Sequence, residues 1–118
     1  MKNILLLDDD ILIPKIIQLG LKKEGYNCLL FRTGHEALEC IDSTDINLII
    51  TDLMMPEMDG LTFAASANQK KPDLPIIFLS SNAFNEKEDF VGKYYIKEYL
   101  TKPFEIDKIL QVVKKHIL

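Results

Sequence analysis

Acidic, hydroxyl and ammonium groups follow four short apolar segments of this chain. The residues at these four ends are Asp8, Asp9 and Asp10, Asp52, Ser80 and Ser81, and Lys102. Short apolar runs bounded by turn-forming residues predict buried strands, and unbroken apolar strands are typical of a parallel sheet covered on both faces. Because the carboxyl ends of parallel strands meet at one edge of a sheet, we expect these side chains to lie close together there.

The chemistry available at such an edge is phosphoryl transfer. Carboxylates from Asp8, Asp9 and Asp52 would repel one another, by about 4 kcal/mol for a pair about 4 Å apart at an effective dielectric constant of about 20. A hard divalent cation relieves this repulsion, and ligands that are all oxygen favour Mg²⁺ over zinc. The Lys102 ammonium and the Ser80 hydroxyl are able to hold phosphate oxygens. Asp52, already ionised at neutral pH, is then a nucleophile that would become an aspartyl phosphate.

Each segment taken alone also has an ordinary structural explanation. Residues 8–10 could form a solvated entrance to a helix, with Asp10 as its N-cap. Ser80 and Ser81 could simply end a strand, and the tripeptide that begins at Lys102 is of a common kind. The functional interpretation depends on the occurrence of all four segments, in order, at predicted strand ends.

The apolar pattern predicts five strands that alternate with five helices. The strands are predicted over 3–7, 27–31, 47–51, 76–79 and 97–101. Helical periodicity predicts one helix that begins near Ile13 and a second that follows a Thr33–Glu36 capping box. Three more helices are predicted over 61–69, 83–94 and 105–117. This alternation predicts a parallel sheet with helices on both faces and right-handed crossovers.

Length and composition indicate one domain over residues 1–118, with 47% hydrophobic residues to build its core. The net charge of −4 argues against direct binding of nucleic acid. No apolar run is long enough for a membrane span, and the acids at 8–10 interrupt the only N-terminal candidate for a signal peptide. We therefore expect a cytoplasmic protein without a membrane partner. Cys28 and Cys40 are too isolated in sequence to predict a zinc site.

These motifs together resemble the receiver domain of two-component response regulators, and the resemblance covers essentially the whole chain. The segments that carry it are Leu5–Asp10, Asp52–Gly60, Ser80-Ser81 and Tyr99–Phe104. It implies an α/β fold of the flavodoxin-like, doubly wound kind, with five parallel strands in the order 2-1-3-4-5 and five helices.

The resemblance also implies roles for individual residues. Asp52 would accept a phosphoryl group from a phosphohistidine on a sensor histidine kinase or a phosphotransfer protein. Mg²⁺ would be bound by the carboxylates of Asp9 and Asp52 and by the backbone carbonyl of Met54. Asp8 would act mostly through a metal-bound water, and Lys102 would contact the phosphoryl group.

A conformational switch is the second implication of the resemblance. Ser80 fills the position of the switch hydroxyl, and Tyr99 fills that of the aromatic switch, whose ring moves inward when Ser80 is drawn to the phosphate. The surface formed by the predicted fourth helix, the fifth strand and the final helix would then control a downstream effector or an appended output domain. A phosphorylation-dependent dimer is compatible with this scheme. Beyond its own phosphorylation and dephosphorylation, no enzymatic activity is expected.

Several positions depart from the family pattern. Ser81 replaces the usual Ala, Tyr95 and Ile96 replace the usual Gly-Ala, and the segment 83–94 is an atypical fourth helix. The atypical fourth helix leaves open an alternative, a receiver-fold interaction module that no longer cycles phosphate. A haloacid-dehalogenase-type phosphatase is disfavoured, because such enzymes need a second Asp two residues after the nucleophile and this chain has Met54 there.

Overall fold

The computed structural model describes residues 1–55, 57–80, 95–101 and 105–118. Strands and helices alternate along these residues. The strands are β1 (Asn3–Leu7), β2 (Asn27–Phe31), β3 (Leu48–Asp52), β4 (Ile76–Ser80) and β5 (Ile96–Thr101). The described helices are α1 (Leu12–Lys23), α2 (Gly34–Ser43), α3 (Gly60–Lys70) and α4 (Ile106–His116).

All five predicted strands are present, each with ends within one residue of the prediction. The third strand begins and ends one residue later than predicted, so Asp52 is its last residue. Four helices are described where five are predicted, because the predicted helix over 83–94 lies outside the described residues. Ser81 and Lys102 also lie outside them.

The five strands form one parallel sheet in the order β2-β1-β3-β4-β5, as the resemblance implies. From β1 the chain moves to β2 at one side of the sheet. It then crosses to β3 on the other side of β1 and continues in that direction to β4 and β5. The crevice at the carboxyl ends of β1 and β3 is therefore the point where the strand order reverses, which is the usual ligand site of such sheets.

The core has two layers, one on each face of the sheet. Leu5, Leu7 and Ile49 pack with α2 and α3, whereas Ile4, Leu6 and α1 and α4 form the other layer. Alternation of this kind follows from the pleat of a strand, which points successive side chains to opposite faces. Among the described residues, no helix combines the length and apolar character needed to cross a membrane.

Two residues were considered as helix caps: Thr33 was predicted from a capping box, and Asp10 belonged to the structural alternative for residues 8–10. The Thr33 hydroxyl oxygen accepts a hydrogen bond from the Glu36 N–H at 3.3 Å, so the predicted start of α2 is confirmed. Asp10, in contrast, is not the N-cap of α1; Ile11 occupies that position without a side-chain cap. The reason is local: the Asp10 N–H donates to Asp8 Oδ1 at 3.0 Å, which turns the chain before the helix begins.

Gly60, the first residue of α3, lies where the helix closely approaches β3. Its N–H donates to the Leu53 carbonyl oxygen at 2.8 Å. A Cβ at this position would collide with the Asp52 carbonyl oxygen and would lie 2.8 Å from the Phe78 ring. Because backbone atoms of a central strand have no room to move, only glycine fits here.

We expect Gly60→Ala to lower the free energy of unfolding by about 1–3 kcal/mol, since it overpacks a rigid part of the core. Gly34→Ala is the matched control, because a Cβ there would press mainly on the flexible Met58 side chain, whose sulfur lies 2.7 Å away. Urea denaturation of the two variants measures the difference. Equal losses in both variants would contradict the close approach at Gly60.

We also expect a thiol reagent to label Cys40 and to spare Cys28 in the native protein at neutral pH. Burial raises the pKa of the Cys28 thiol to about 12, and the thiolate is the reactive form. Cys40 is only partly buried. Mass spectrometry after brief exposure to iodoacetamide reports the sites, with denatured protein as the fully labelled reference. Native labelling of Cys28 at the rate of Cys40 would be the contrary result.

Candidate functional site

Adjacent strands bring Asp8 and Asp52 to the same edge of the sheet. Leu7, the last residue of β1, pairs with Thr51 on β3, so the next residue on each strand is an aspartate. Asp8 is fully buried and Asp52 is 8% exposed. The Asp8 N–H donates to the Phe31 carbonyl oxygen of β2 at 3.1 Å, which holds the main chain of Asp8 in line with the sheet.

Asp9 completes a cluster of three carboxylates. One carboxylate oxygen from each of Asp8, Asp9 and Asp52 lies within 4.8 Å of the other two. Backbone N–H groups donate to two of these side chains: Asp10 to Asp8 Oδ1 at 3.0 Å, and Met54 to Asp52 Oδ1 at 3.4 Å. Asp9 is more exposed than the other two acids, so the cluster is open to solvent on its side.

The donor atoms fit a hard divalent cation. Three anionic oxygen ligands in so small a volume repel each other unless positive charge is supplied. Oxygen ligands alone suit Mg²⁺, whereas zinc prefers nitrogen and sulfur. The structure thus brings together the three acids predicted as metal ligands, while their roles stay predictions.

The other predicted site residues are Ser80, Tyr99, Met54 and Lys102, and the structure describes the first three. Ser80 is the last residue of β4, is 1% exposed, and follows Leu79, the residue that pairs with Asp52. Tyr99 is on β5 beside Phe78 and is 37% exposed. The Met54 side chain is largely exposed. Lys102 lies outside the described residues.

Arg32 was not predicted as a site residue, but the structure places it at the same edge. Its Nη2 donates to the Asp9 carbonyl oxygen at 3.3 Å. A cavity of about 340 Å³ beside the cluster is lined by Arg32, Asp9, Met55 and Glu57, among others. The sequence did contain a signal for this position: Arg32 directly follows the apolar run of β2, just as Asp8 follows that of β1 and Asp52 ends β3.

Comparisons with known proteins agree on one family. The family model described as the response regulator receiver domain matches residues 4–114. The chain is 34% identical over 112 residues to response regulator RR06 of Streptococcus pneumoniae and 36% identical over 116 residues to regulatory protein VanR of Enterococcus faecium. These matches cover 95% and 98% of this chain but 51% and 49% of the relatives. The chain therefore spans about half the length of these relatives.

Solved structures give the same result for the fold. A CheY-like receiver domain protein from Methanospirillum hungatei has a TM-score of 0.90 and 28% identity, over 98% of this chain and 92% of that one. The response regulator TrrA from Thermotoga maritima, solved in complex with Mg²⁺–BeF, has a TM-score of 0.84 and 33% identity. That match covers 98% of both chains.

We expect millimolar Mg²⁺ to raise the unfolding temperature of the wild-type protein, because the cation would bind only the folded cluster. Asp9→Asn should remove most of this rise and should itself raise the unfolding temperature without metal, since one repelling charge is gone. Differential scanning calorimetry with and without Mg²⁺ measures both effects.

Asp73→Asn is the control for charge, because this exposed residue lies before β4, at the amino ends of the strands and away from the cluster. It should keep the full Mg²⁺ effect. A wild-type unfolding temperature that does not respond to Mg²⁺ would contradict an assembled metal site.

Proposed function

This chain belongs to the response regulator receiver domain family, and we propose that it is a phosphorylatable signalling switch of a two-component system. In this proposal Asp52 accepts a phosphoryl group from a phosphohistidine on a sensor histidine kinase or a phosphotransfer protein. The observation that supports it most is the convergence of the Asp8, Asp9 and Asp52 carboxylates within 4.8 Å at the carboxyl edge of the sheet.

The proposed step is a direct transfer between two nucleophiles. A carboxylate oxygen of Asp52 attacks phosphorus while the P–N bond to the donor imidazole breaks. The imidazole leaves and takes up a proton from solvent, and Asp52 becomes a mixed carboxylic–phosphoric anhydride. No general base is needed, because the attacking carboxylate is already ionised. Burial of Asp52 beside Asp8 limits the access of water to the product.

Mg²⁺ would be held by Asp8, Asp9, Asp52 and the Met54 carbonyl oxygen. When bound, it supplies the positive charge that phosphoryl transfer requires. The similarity to TrrA, whose structure contains Mg²⁺–BeF, supports this part of the proposal. Lys102, which lies outside the described residues, is proposed to contact the phosphoryl group.

Ser80 and Tyr99 are proposed to carry the signal away from Asp52. Ser80 is buried at the end of β4, beside β3, and Tyr99 is partly exposed on the neighbouring β5. A phosphoryl oxygen on Asp52 would draw the Ser80 hydroxyl toward it, and the Tyr99 ring would fill the space so vacated. The surface formed by residues 83–94, β5 and α4 would thereby change its affinity for a downstream effector, an appended output domain or a second copy.

An exposed apolar face on α1 and the residue before it supports a macromolecular phosphoryl donor. Ile11, Leu12, Ile16 and Leu19 are all exposed, although their neighbours Ile17 and Leu21 are buried in the core. Contiguous exposed apolar residues commonly mark sites of protein interaction. This face begins one residue after the acids at 8–10, so a protein seated on it would reach the acidic cluster.

The decisive experiment is phosphorylation by phosphoramidate, a small donor with a P–N bond, in the presence of Mg²⁺. We expect the wild-type protein to gain the mass of one phosphoryl group, which hydroxylamine removes as it does from acyl phosphates. Asp52→Asn should gain none, because an amide oxygen is a far weaker nucleophile. Asp73→Asn should be labelled like the wild type. Intact-protein mass spectrometry measures all three.

Two outcomes would count against the proposal. Labelling that persists in Asp52→Asn would assign the acceptor to another residue. A wild-type protein that binds Mg²⁺ but takes up no phosphoryl group would favour the alternative function, a receiver-fold interaction module that acts without phosphorylation.

A further inference from the structure

Arg32 is the only arginine in the sequence, and it lies at the edge of the sheet where Asp8, Asp9 and Asp52 meet. Phe31, the residue before it, accepts the Asp8 N–H, so the end of β2 runs beside the first acid of the cluster. Its guanidinium then reaches across to the main chain of the second acid, where Nη2 donates to the Asp9 carbonyl oxygen at 3.3 Å.

The hydrogen bond made by Arg32 leaves its charge unneutralised. A carbonyl oxygen accepts the bond without taking up the positive charge, and no carboxylate of the described residues forms an ion pair with this guanidinium. Arg32 also lines the cavity that reaches Asp9. A full positive charge therefore lies next to the cluster without being paired to one of its members.

We propose that Arg32 is a positioning residue that sets the Mg²⁺ affinity of the Asp8–Asp9–Asp52 cluster. This inference rests on the proposed function, because it assumes that the cluster binds Mg²⁺. The guanidinium attracts the three carboxylates and so stabilises the cluster without metal, whereas it repels the incoming divalent cation. The repulsion lowers the affinity for Mg²⁺ below that of the same three acids without Arg32, because the attraction to the carboxylates is present with and without the metal.

The test compares Mg²⁺ binding to the wild type, Arg32→Gln, Arg32→Lys and Lys71→Gln by isothermal titration calorimetry. Arg32→Gln should bind Mg²⁺ roughly threefold to tenfold more tightly at low ionic strength, because a like charge near the cation is removed. Arg32→Lys keeps the charge and should stay near the wild-type value. Lys71→Gln removes one positive charge at the opposite edge of the sheet and should also stay near it.

Ionic strength separates an electrostatic role from a merely structural one. Salt screens exposed charges, so the gain in affinity of Arg32→Gln should shrink as the ionic strength rises. A loss of the hydrogen bond to Asp9 would instead loosen the site at every salt concentration. As a second measurement, Arg32→Gln should have a lower unfolding temperature without metal and a larger rise on addition of Mg²⁺ than the wild type.

The outcomes separate this inference from the proposed function. Unchanged or weaker Mg²⁺ binding by Arg32→Gln, or a gain that does not respond to salt, would overturn the role of Arg32 while the wild-type protein still binds Mg²⁺. An equal gain in Lys71→Gln would overturn it too, because net charge alone would then explain the effect. A wild-type protein that does not bind Mg²⁺ would overturn both.

Discussion

Crowding of like charges at one edge of the sheet is the constraint on which the rest of this molecule depends. Asp8 and Asp52 are nearly or fully buried and, with Asp9, contribute oxygens that lie within 4.8 Å of one another. Each pair of such charges costs about 4 kcal/mol at about 4 Å and an effective dielectric constant of about 20. This cost is comparable with the whole net stability of a small domain. The sheet and its two apolar layers set the main-chain positions from which these acids project.

Several contacts with the core fix the main chain around Asp52. The N–H of Leu53 donates to Leu79 of β4, the Thr51 hydroxyl donates to the Asp52 carbonyl oxygen, and the start of α3 packs directly on that carbonyl. The Asp52 carboxylate accepts a bond of 3.4 Å from the Met54 N–H. The core thus sets the position of the residue that is proposed to accept the phosphoryl group.

Apolar periodicity predicted β1, β3 and β4 well because these strands are buried on both faces and therefore appear as unbroken apolar runs. The edge strands β2 and β5 are only partly buried, and β5 contains charged residues. Periodicity could not predict that β3 extends to Asp52, since the last residue is decided by pairing with Leu79 of another strand. The structural alternative that made Asp10 an N-cap is not what the structure has, because a side chain two residues earlier accepts the Asp10 N–H and Ile11 is the N-cap. Arg32 was overlooked because its position after the apolar run of β2 does not by itself tell which other strand ends lie beside it. Only the order of strands shows that β2 ends next to the acids.

The strand order also determines how a charge change at Asp52 could reach a distant surface. β1 and β3 carry the acids at the centre of the sheet, and α1 exposes its apolar face next to them. Tyr99 lies on β5, two strands away from β3. β5 and β2 are the two outermost strands of the sheet. β4 is the strand between them, and its last residue, Ser80, is a small buried hydroxyl at the level of the acids. A coupling between Asp52 and Tyr99 through the sheet therefore has to cross β4. Ser80 is the polar group at the end of β4, and such a coupling would start there.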